Sequence, residues 1–242
     1  MAEDPAGGGR RRAVTRTGDG GGPRSGDSSR LRRVRRSYDA WARVYDWFAR
    51  ATASVGGVRA ACVESLGLAP GDTVVEFGCG PGVNLPALRE AVGPTGRVVG
   101  VDVSTGMLDR AEGLVERRGW ENVSLVEADA ERPPVAAADG VLTTFVTSLF
   151  PDPYAVVRRW CALADAVVVA AFAPEGSRPA NAALRAFVRL NGRLFDARTS
   201  DPLALLAGRT AAARRALDDA TAVRERQRHL FGTIVVEAGR RS

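Results

Sequence analysis

Short apolar runs alternate with longer amphipathic runs along most of this chain. The runs at 73–77, 97–102, 123–127, 139–145 and 165–172 read as strands. Between them, 83–92, 105–118 and 152–163 place apolar residues three and four apart, the spacing of one helical face. Strands separated by helices predict βαβ units and a parallel sheet. A further helix is expected at about 55–67, before the turn Ala69-Pro70-Gly71-Asp72. Upstream, Leu31, Val34, Tyr38, Trp41, Tyr45 and Phe48 form another helical face, with Arg32, Arg33, Arg35, Arg36 and Arg43 off it. That helix reads as a lid on the domain, with a membrane surface as the alternative. After Phe172 the rhythm changes. Residues 178–218 carry helical segments that include Asn181–Leu194 and Pro202–Leu217. Two closely spaced runs, 221–228 and 231–237, flank a short turn at Leu230–Gly232 and read as an antiparallel hairpin.

The expected architecture is therefore α/β: a Rossmann-like, mostly parallel sheet of seven strands, helices on both faces, and a C-terminal antiparallel hairpin. Residues 1–30 form an arm rich in Gly, Arg, Ser and Asp that reads as disordered. Residues 31–242 form one domain, with lid helices at 31–68 and a helical insertion for substrate at 178–218.

Composition sharpens this in three places. Hydrophobic residues make up 45% of the chain, an ordinary core content, and no apolar run reaches roughly 18 residues. No membrane-spanning helix and no secretory signal are expected, which points to the cytoplasm, with peripheral membrane contact as the alternative. The net charge of +6 is unevenly placed: residues 1–36 hold ten arginines against four acids, and the rest of the chain holds 24 of each. The arginine arm could touch nucleic acid or an anionic membrane. Cys62, Cys79 and Cys161 lack metal-ligand spacing, and a single histidine, His229, gives no basis for a histidine metal site or a His-based triad. No metal is expected.

The candidate chemistry lies at Val74–Asn84, Val-Val-Glu-Phe-Gly-Cys-Gly-Pro-Gly-Val-Asn. A strand runs into Gly78, Gly80 and Gly82, and an amphipathic helix begins at Leu85. Glycines allow a sharp turn with positive φ and a close approach of ligand to backbone, while helix-start N–H groups face that ligand. The spacing is not that of a dinucleotide turn, because Val83 stands where the third glycine belongs. It is not a triphosphate loop, because the chain has no lysine. Acids then close successive strands: Glu76 before the turn, Asp102 after the second strand and Asp129 after the third. A carboxylate at 102 suits the two hydroxyls of a ribose, and one at 129 suits an exocyclic amine. Either could instead cap the helix that follows. Together they describe a pocket for an adenosine with a cationic or amino-acid tail.

These motifs resemble the class I S-adenosylmethionine-dependent methyltransferases. Residues 74–82 are similar to that family's first motif, Asp-Val-Ser-Thr-Gly-Met-Leu at 102–108 to its second, Glu-Ala-Asp-Ala-Glu at 127–131 to its third, and Asp139-Gly-Val-Leu-Thr-Thr-Phe to its fourth strand. The Tyr38-Asp39 and Tyr45-Asp46 pairs and Val92–Gly100 resemble the quinone C-methyltransferase and phosphatidylethanolamine N-methyltransferase subgroup. The resemblance implies S-adenosylmethionine as cofactor. It sets Gly78, Cys79, Gly80 and Gly82 under the methionine part, Glu76 near its amino group, and Asp102 at the ribose. Val103 and Met107 fall beside the adenine, Asp129 and Ala130 at its edge, and Thr144 beside the sulfonium. Tyr38 and Tyr45 would close the site and are the catalytic candidates. The sequence departs from the family before the fifth strand, where Leu163-Ala164-Asp165 replaces a Leu-x-Pro-Gly-Gly turn. The implied reaction moves a methyl group to a small, apolar or lipid-like acceptor. An RNA-modifying methyltransferase using the basic arm and a non-catalytic cofactor-binding protein are the alternatives.

Overall fold

A computed structural model describes residues 57–190 and 201–241, together with the pair Thr15–Arg16. Its strands are β1 (Thr73–Phe77), β2 (Arg97–Asp102), β3 (Val123–Glu127), β4 (Ala138–Thr144), β5 (Ala164–Phe172), β6 (Val223–His229) and β7 (Ile234–Arg240). Its helices are α1 (Val58–Leu66), α2 (Leu85–Val92), α3 (Thr105–Arg118), α4 (Pro153–Leu163), α5 (Arg178–Leu190) and α6 (Pro202–Ala220). These strands lie in one sheet in the order β3-β2-β1-β4-β5-β7-β6, and Thr15–Arg16 runs parallel to Val126–Glu127 at its edge. The first five strands are parallel, and β7 and β6 are antiparallel additions. The expected fold class holds. The strand order reverses between β1 and β4, which makes the carboxyl ends of those strands the switch point.

The two faces of the sheet carry separate cores because successive side chains point to opposite sides. Val74, Val98, Leu142, Val168 and Val236 face α1, α2, α3 and α5. Val75, Phe77, Val101, Val141, Val167 and Val235 face α4 and most of α6. Cys62, Cys79 and Cys161 are free and buried, and burial pushes the Cys62 thiol up to about 12, far from reactive.

Element edges shift for local reasons. Helix α2 begins at Leu85 rather than 83, because Gly82 and Asn84 are still turning, with the Leu85 N–H donating to the Gly82 carbonyl at 3.2 Å. The hairpin strands start later than expected, at 223 and 234. Leu230, Phe231 and Gly232 all hold positive φ, so no strand can include them. Helix α5 starts three residues before Asn181 and is described to Leu190. Among the described residues no helix is long and apolar enough to cross a membrane. The lid helix expected from Leu31 lies outside the described residues, as do Tyr38 and Tyr45.

Candidate functional site

Strand β1 delivers Glu76 to the switch point and then turns over the end of β2. The N–H groups of Gly78 and Cys79 both donate to the Val101 carbonyl, at 2.7 and 3.1 Å. Gly78, Gly80 and Gly82 have φ of 71°, 54° and 82°, a left-handed run that glycine alone adopts without strain. Asp102 ties this turn to the next one. Its Oδ2 accepts from the Gly80 N–H at 2.8 Å, and its Oδ1 accepts from the Ser104 N–H at 2.9 Å. Ser104, not Asp102, caps α3, accepting from the Met107 N–H at 3.3 Å. The Asp102 carboxylate is thus held rigidly by two backbone donors at the rim of the sheet.

Glu76 is fully buried beneath the turn. Its Oε1 accepts from the Asn84 amide at 2.5 Å, and the Asn84 amide oxygen accepts from Arg59 at 2.6 Å. The same Asn84 nitrogen lies 3.3 Å from the Thr144 hydroxyl at the end of β4. Glu76 Oε2 is buried with no hydrogen-bond partner. Burial pushes its carboxyl up to about 8, against the pull of Asn84 and Arg59. An orphaned buried carboxylate oxygen is costly, and a donor brought by a ligand would relieve that cost.

A second orphan lies across the site. Asp129 Oδ1 accepts from the Glu131 N–H at 3.0 Å, while Oδ2 is buried with no partner. The loop that carries it is pinned from below: the Trp160 indole N–H donates to the Ala130 carbonyl at 2.9 Å, and Arg159 donates to the Glu131 carbonyl. Trp160 is fully buried and stacks on Phe77 at 5.0 Å. Trp160→Phe leaves the Ala130 carbonyl without its donor. We expect a loss of about 2 kcal/mol in denaturant melts, within the cost of an unsatisfied buried acceptor. An unchanged midpoint would show that the indole bond holds nothing.

Thr144 is buried at the end of β4, and Phe145 next to it has φ 65°, a strained setting for an aromatic residue. The Phe145 ring stacks on Phe172 at 4.7 Å, and Phe172 meets Phe187 of α5 at 5.6 Å. The carboxyl ends of β1 to β4 and the loops that follow them thus carry Glu76, Gly78, Cys79, Gly80, Gly82, Asp102, Val103, Asp129, Ala130 and Thr144 along one edge of the sheet. Met107 is buried on the first turn of α3. Two participants had no sequence signal that was used. Asn84 could have been noticed as a polar residue two places after Gly82. Arg59 reaches the site only because α1 docks beside α2, which no local pattern reveals.

This doubly wound sheet, with an acid-lined glycine turn at its switch point, defines an α/β domain of the type that holds ligands at its strand ends. Comparison with known proteins narrows the class. Residues 74–165 match a family described as a methyltransferase domain. Phosphatidylethanolamine N-methyltransferase of Cereibacter sphaeroides is 34% identical over 66% of this chain and 78% of its own length. Aklanonic acid methyltransferase DauC of Streptomyces sp. (strain C5) is 30% identical over 57% of this chain and 63% of its own. The chain spans under two thirds of the latter, and about a third of a nocamycin O-methyltransferase that it also matches. Among solved structures, magnesium protoporphyrin IX methyltransferase of Synechocystis, with bound SAH, has a similar fold. It aligns with a TM-score of 0.53 at 19% identity, covering 92% of this chain and 90% of that one. The chain belongs to the class I S-adenosylmethionine-dependent methyltransferases. The family's cofactor fits the residues present: the two orphaned buried carboxylate oxygens, on Glu76 and Asp129, are acceptors of the kind that an ammonium and an exocyclic amine would need.

Proposed function

We propose that the protein transfers the methyl group of S-adenosylmethionine to a small acceptor with an apolar body. The observation that carries this reading is the pair of unpartnered carboxylate oxygens, Glu76 Oε2 before the glycine turn and Asp129 Oδ2 after β3, at the same edge of the sheet. When bound, the cofactor supplies a methyl group already activated on a sulfonium. Glu76 accepts from its ammonium, Asp102 from the ribose hydroxyls, and Asp129 with Ala130 meets the adenine edge. Val103 and Met107 flank the base. Gly78, Cys79, Gly80 and Gly82 pass beneath the methionine part. Thr144 would border the reacting carbon, and the family resemblance makes Tyr38 and Tyr45, outside the described residues, the candidates for the catalytic hydroxyls. The protein's task is alignment and exclusion of water, which supplies about 7–11 kcal/mol of the barrier in well-oriented reactions. The Phe145, Phe172 and Phe187 rings beside Thr144 support an apolar acceptor. Relatives named for a small acid and for a phospholipid support the same range.

The test has two parts. Calorimetry of the purified chain should show binding of S-adenosylmethionine and S-adenosylhomocysteine. Labelled methyl groups incubated with extract should then appear in the lipid or small-molecule pool. Label confined to RNA would overturn the acceptor assignment, and no affinity for either nucleoside would overturn the whole reading.

A further inference from the structure

We infer that the groove between α5 and α6 holds an oxyanion of the methyl acceptor, so that the acceptor is an acid at one end and apolar along its body. This rests on the methyl-transfer reading above. The groove encloses about 450 Å³. Arg178, Asn181 and Arg185 of α5 form one wall, and Leu203, Ala204 and Ala207 of α6 form the other. Arg178 and Arg185 are seven residues apart, two helical turns, so they stand on one face about 10 Å apart along the axis. Among the described residues no carboxylate lines the groove. On the hairpin strand β6, Arg226 and Arg228 pair with Glu175 and Arg224 with Asp218. Among the described residues Arg178 and Arg185 have no such partner. Asp201, at the start of α6, already accepts from the N–H groups of Leu203 and Ala204, at 3.1 and 3.2 Å.

The walls are set firmly. Asn181 accepts from the Gly176 N–H at 3.2 Å and donates to the carbonyls of Pro174 and Gly176 at 3.1 and 3.0 Å, which anchors the start of α5 to the end of β5. Leu184 and Val188 bury the adjoining face of α5 in the core. The Thr210 hydroxyl of α6 donates to the Phe172 carbonyl at 2.8 Å, and Arg209 donates to the Ser148 carbonyl after β4.

The groove also lies within reach of the chemistry. It opens past the carboxyl end of β5, two strands from the glycine turn on β1, and two inter-strand spacings are about 10 Å. Phe172 at the end of β5 packs between Phe145, the residue after Thr144, and Phe187 of α5, which fixes the arginine-bearing helix against the strand ends. An acceptor spanning the distance between these strand ends would have its oxyanion beside the two guanidiniums and its nucleophile at the rim of the sheet. Guanidinium suits both carboxylate and phosphate by paired N–H donors.

Fluorescence titration of the full chain with 2-naphthoate, 2-naphthyl phosphate and neutral 2-naphthamide tests this. Tighter binding of the carboxylate or of the phosphate ester tells which oxyanion the groove prefers. We expect Arg178→Gln/Arg185→Gln to weaken the preferred anion at least about tenfold and to leave the amide unchanged, while Arg178→Lys/Arg185→Lys retains most of the affinity. Both arginines are exposed, so S-adenosylhomocysteine binding should be unaltered in either variant and serves as the control of folding. Equal anion binding by the glutamine variant overturns the inference, as does an amide that binds as well as the acids, or no anion binding at all. If the wild-type chain fails to bind S-adenosylhomocysteine, the methyl-transfer reading fails instead, and the anion titration still reports on the groove.

Discussion

The Glu76→Gln variant is expected to lose affinity for S-adenosylmethionine by about thirtyfold or more while becoming more resistant to unfolding at alkaline pH. The two effects have one cause. Glu76 sits in the core with one oxygen bonded to Asn84 and the other unpartnered. Removing water from a carboxylate disfavours its charged form, and that burial, helped by Asp102, lifts the group from 4.5 to about 8 despite Asn84 and Arg59. Glutamine is a near-isostere of the neutral acid, so it retains the packing and the Asn84 contact but cannot ionise against the ligand ammonium. Truncating one member of a buried hydrogen-bonded charge pair costs about 2–5 kcal/mol, which sets the thirtyfold floor.

The sign of the stability effect follows from linkage. Between pH 4.5 and about 8 the folded protein keeps a proton on Glu76 that the unfolded chain has released. Stability from this group is complete below 4.5 and declines as pH rises toward 8, by about 1.4 kcal/mol per unit. Melts of wild type and Glu76→Gln should therefore diverge in favour of the variant from pH 5 to pH 8. Glu237, a second buried acid raised to about 7, contributes to both curves and cancels in the difference. Ligand binding by the wild type should expel the Glu76 proton, so its calorimetric enthalpy at pH 7 should differ between phosphate and Tris. Parallel melting curves together with buffer-independent enthalpy would show that Glu76 is already ionised in the free protein.

How much of this was legible beforehand depends on how local each cause is. Strands β1, β2 and β3 were readable to the residue, since each is one apolar run closed by an acid or a glycine turn. The acids at 76, 102 and 129 were readable as strand-end residues, and the parallel register brings them to one rim. The division of labour at Asp102 and Ser104 was not readable, because either side chain could have capped α3. Nor was the Arg59–Asn84–Glu76 chain, whose members are brought together by docking of α1. The hairpin turn at Leu230–Gly232 was readable, but the start of the last strand was not, because Phe231 carries no signal for the positive φ that keeps it out of the strand. The glycine turn itself was found for an incomplete reason. Close approach of a ligand is one use for a missing Cβ, but at Gly78 and Gly82 that space faces the protein's own Val146 and Leu85.

That last point gives the largest expected effect on stability, in Gly78→Ala. A Cβ at position 78 would stand 2.2 Å from Val146 Cγ2, and the backbone there holds φ 71°. Left-handed backbone costs a non-glycine residue about 1–2 kcal/mol, and overpacking adds about 1–3. Val146 cannot swing clear cheaply, because branching at Cβ restricts its rotamers. We expect Gly78→Ala to destabilise the domain by about 3 kcal/mol in denaturant titrations. The two contributions separate in a double-mutant cycle. Val146→Ala removes the clashing methyl groups and leaves a Cβ 3.3 Å away, a contact that a small shift relieves. In the Val146→Ala background the cost of Gly78→Ala should fall to the backbone part, about 1–2 kcal/mol, giving a coupling of about 1–2 kcal/mol. Strict additivity would mean that Val146 yields without cost and that φ alone requires glycine here. The cycle also bears on function, since Val146 follows Phe145 at the start of the loop after β4. A turn locked against that loop by steric contact holds the Glu76 and Thr144 ends of the site in fixed relation before any ligand arrives.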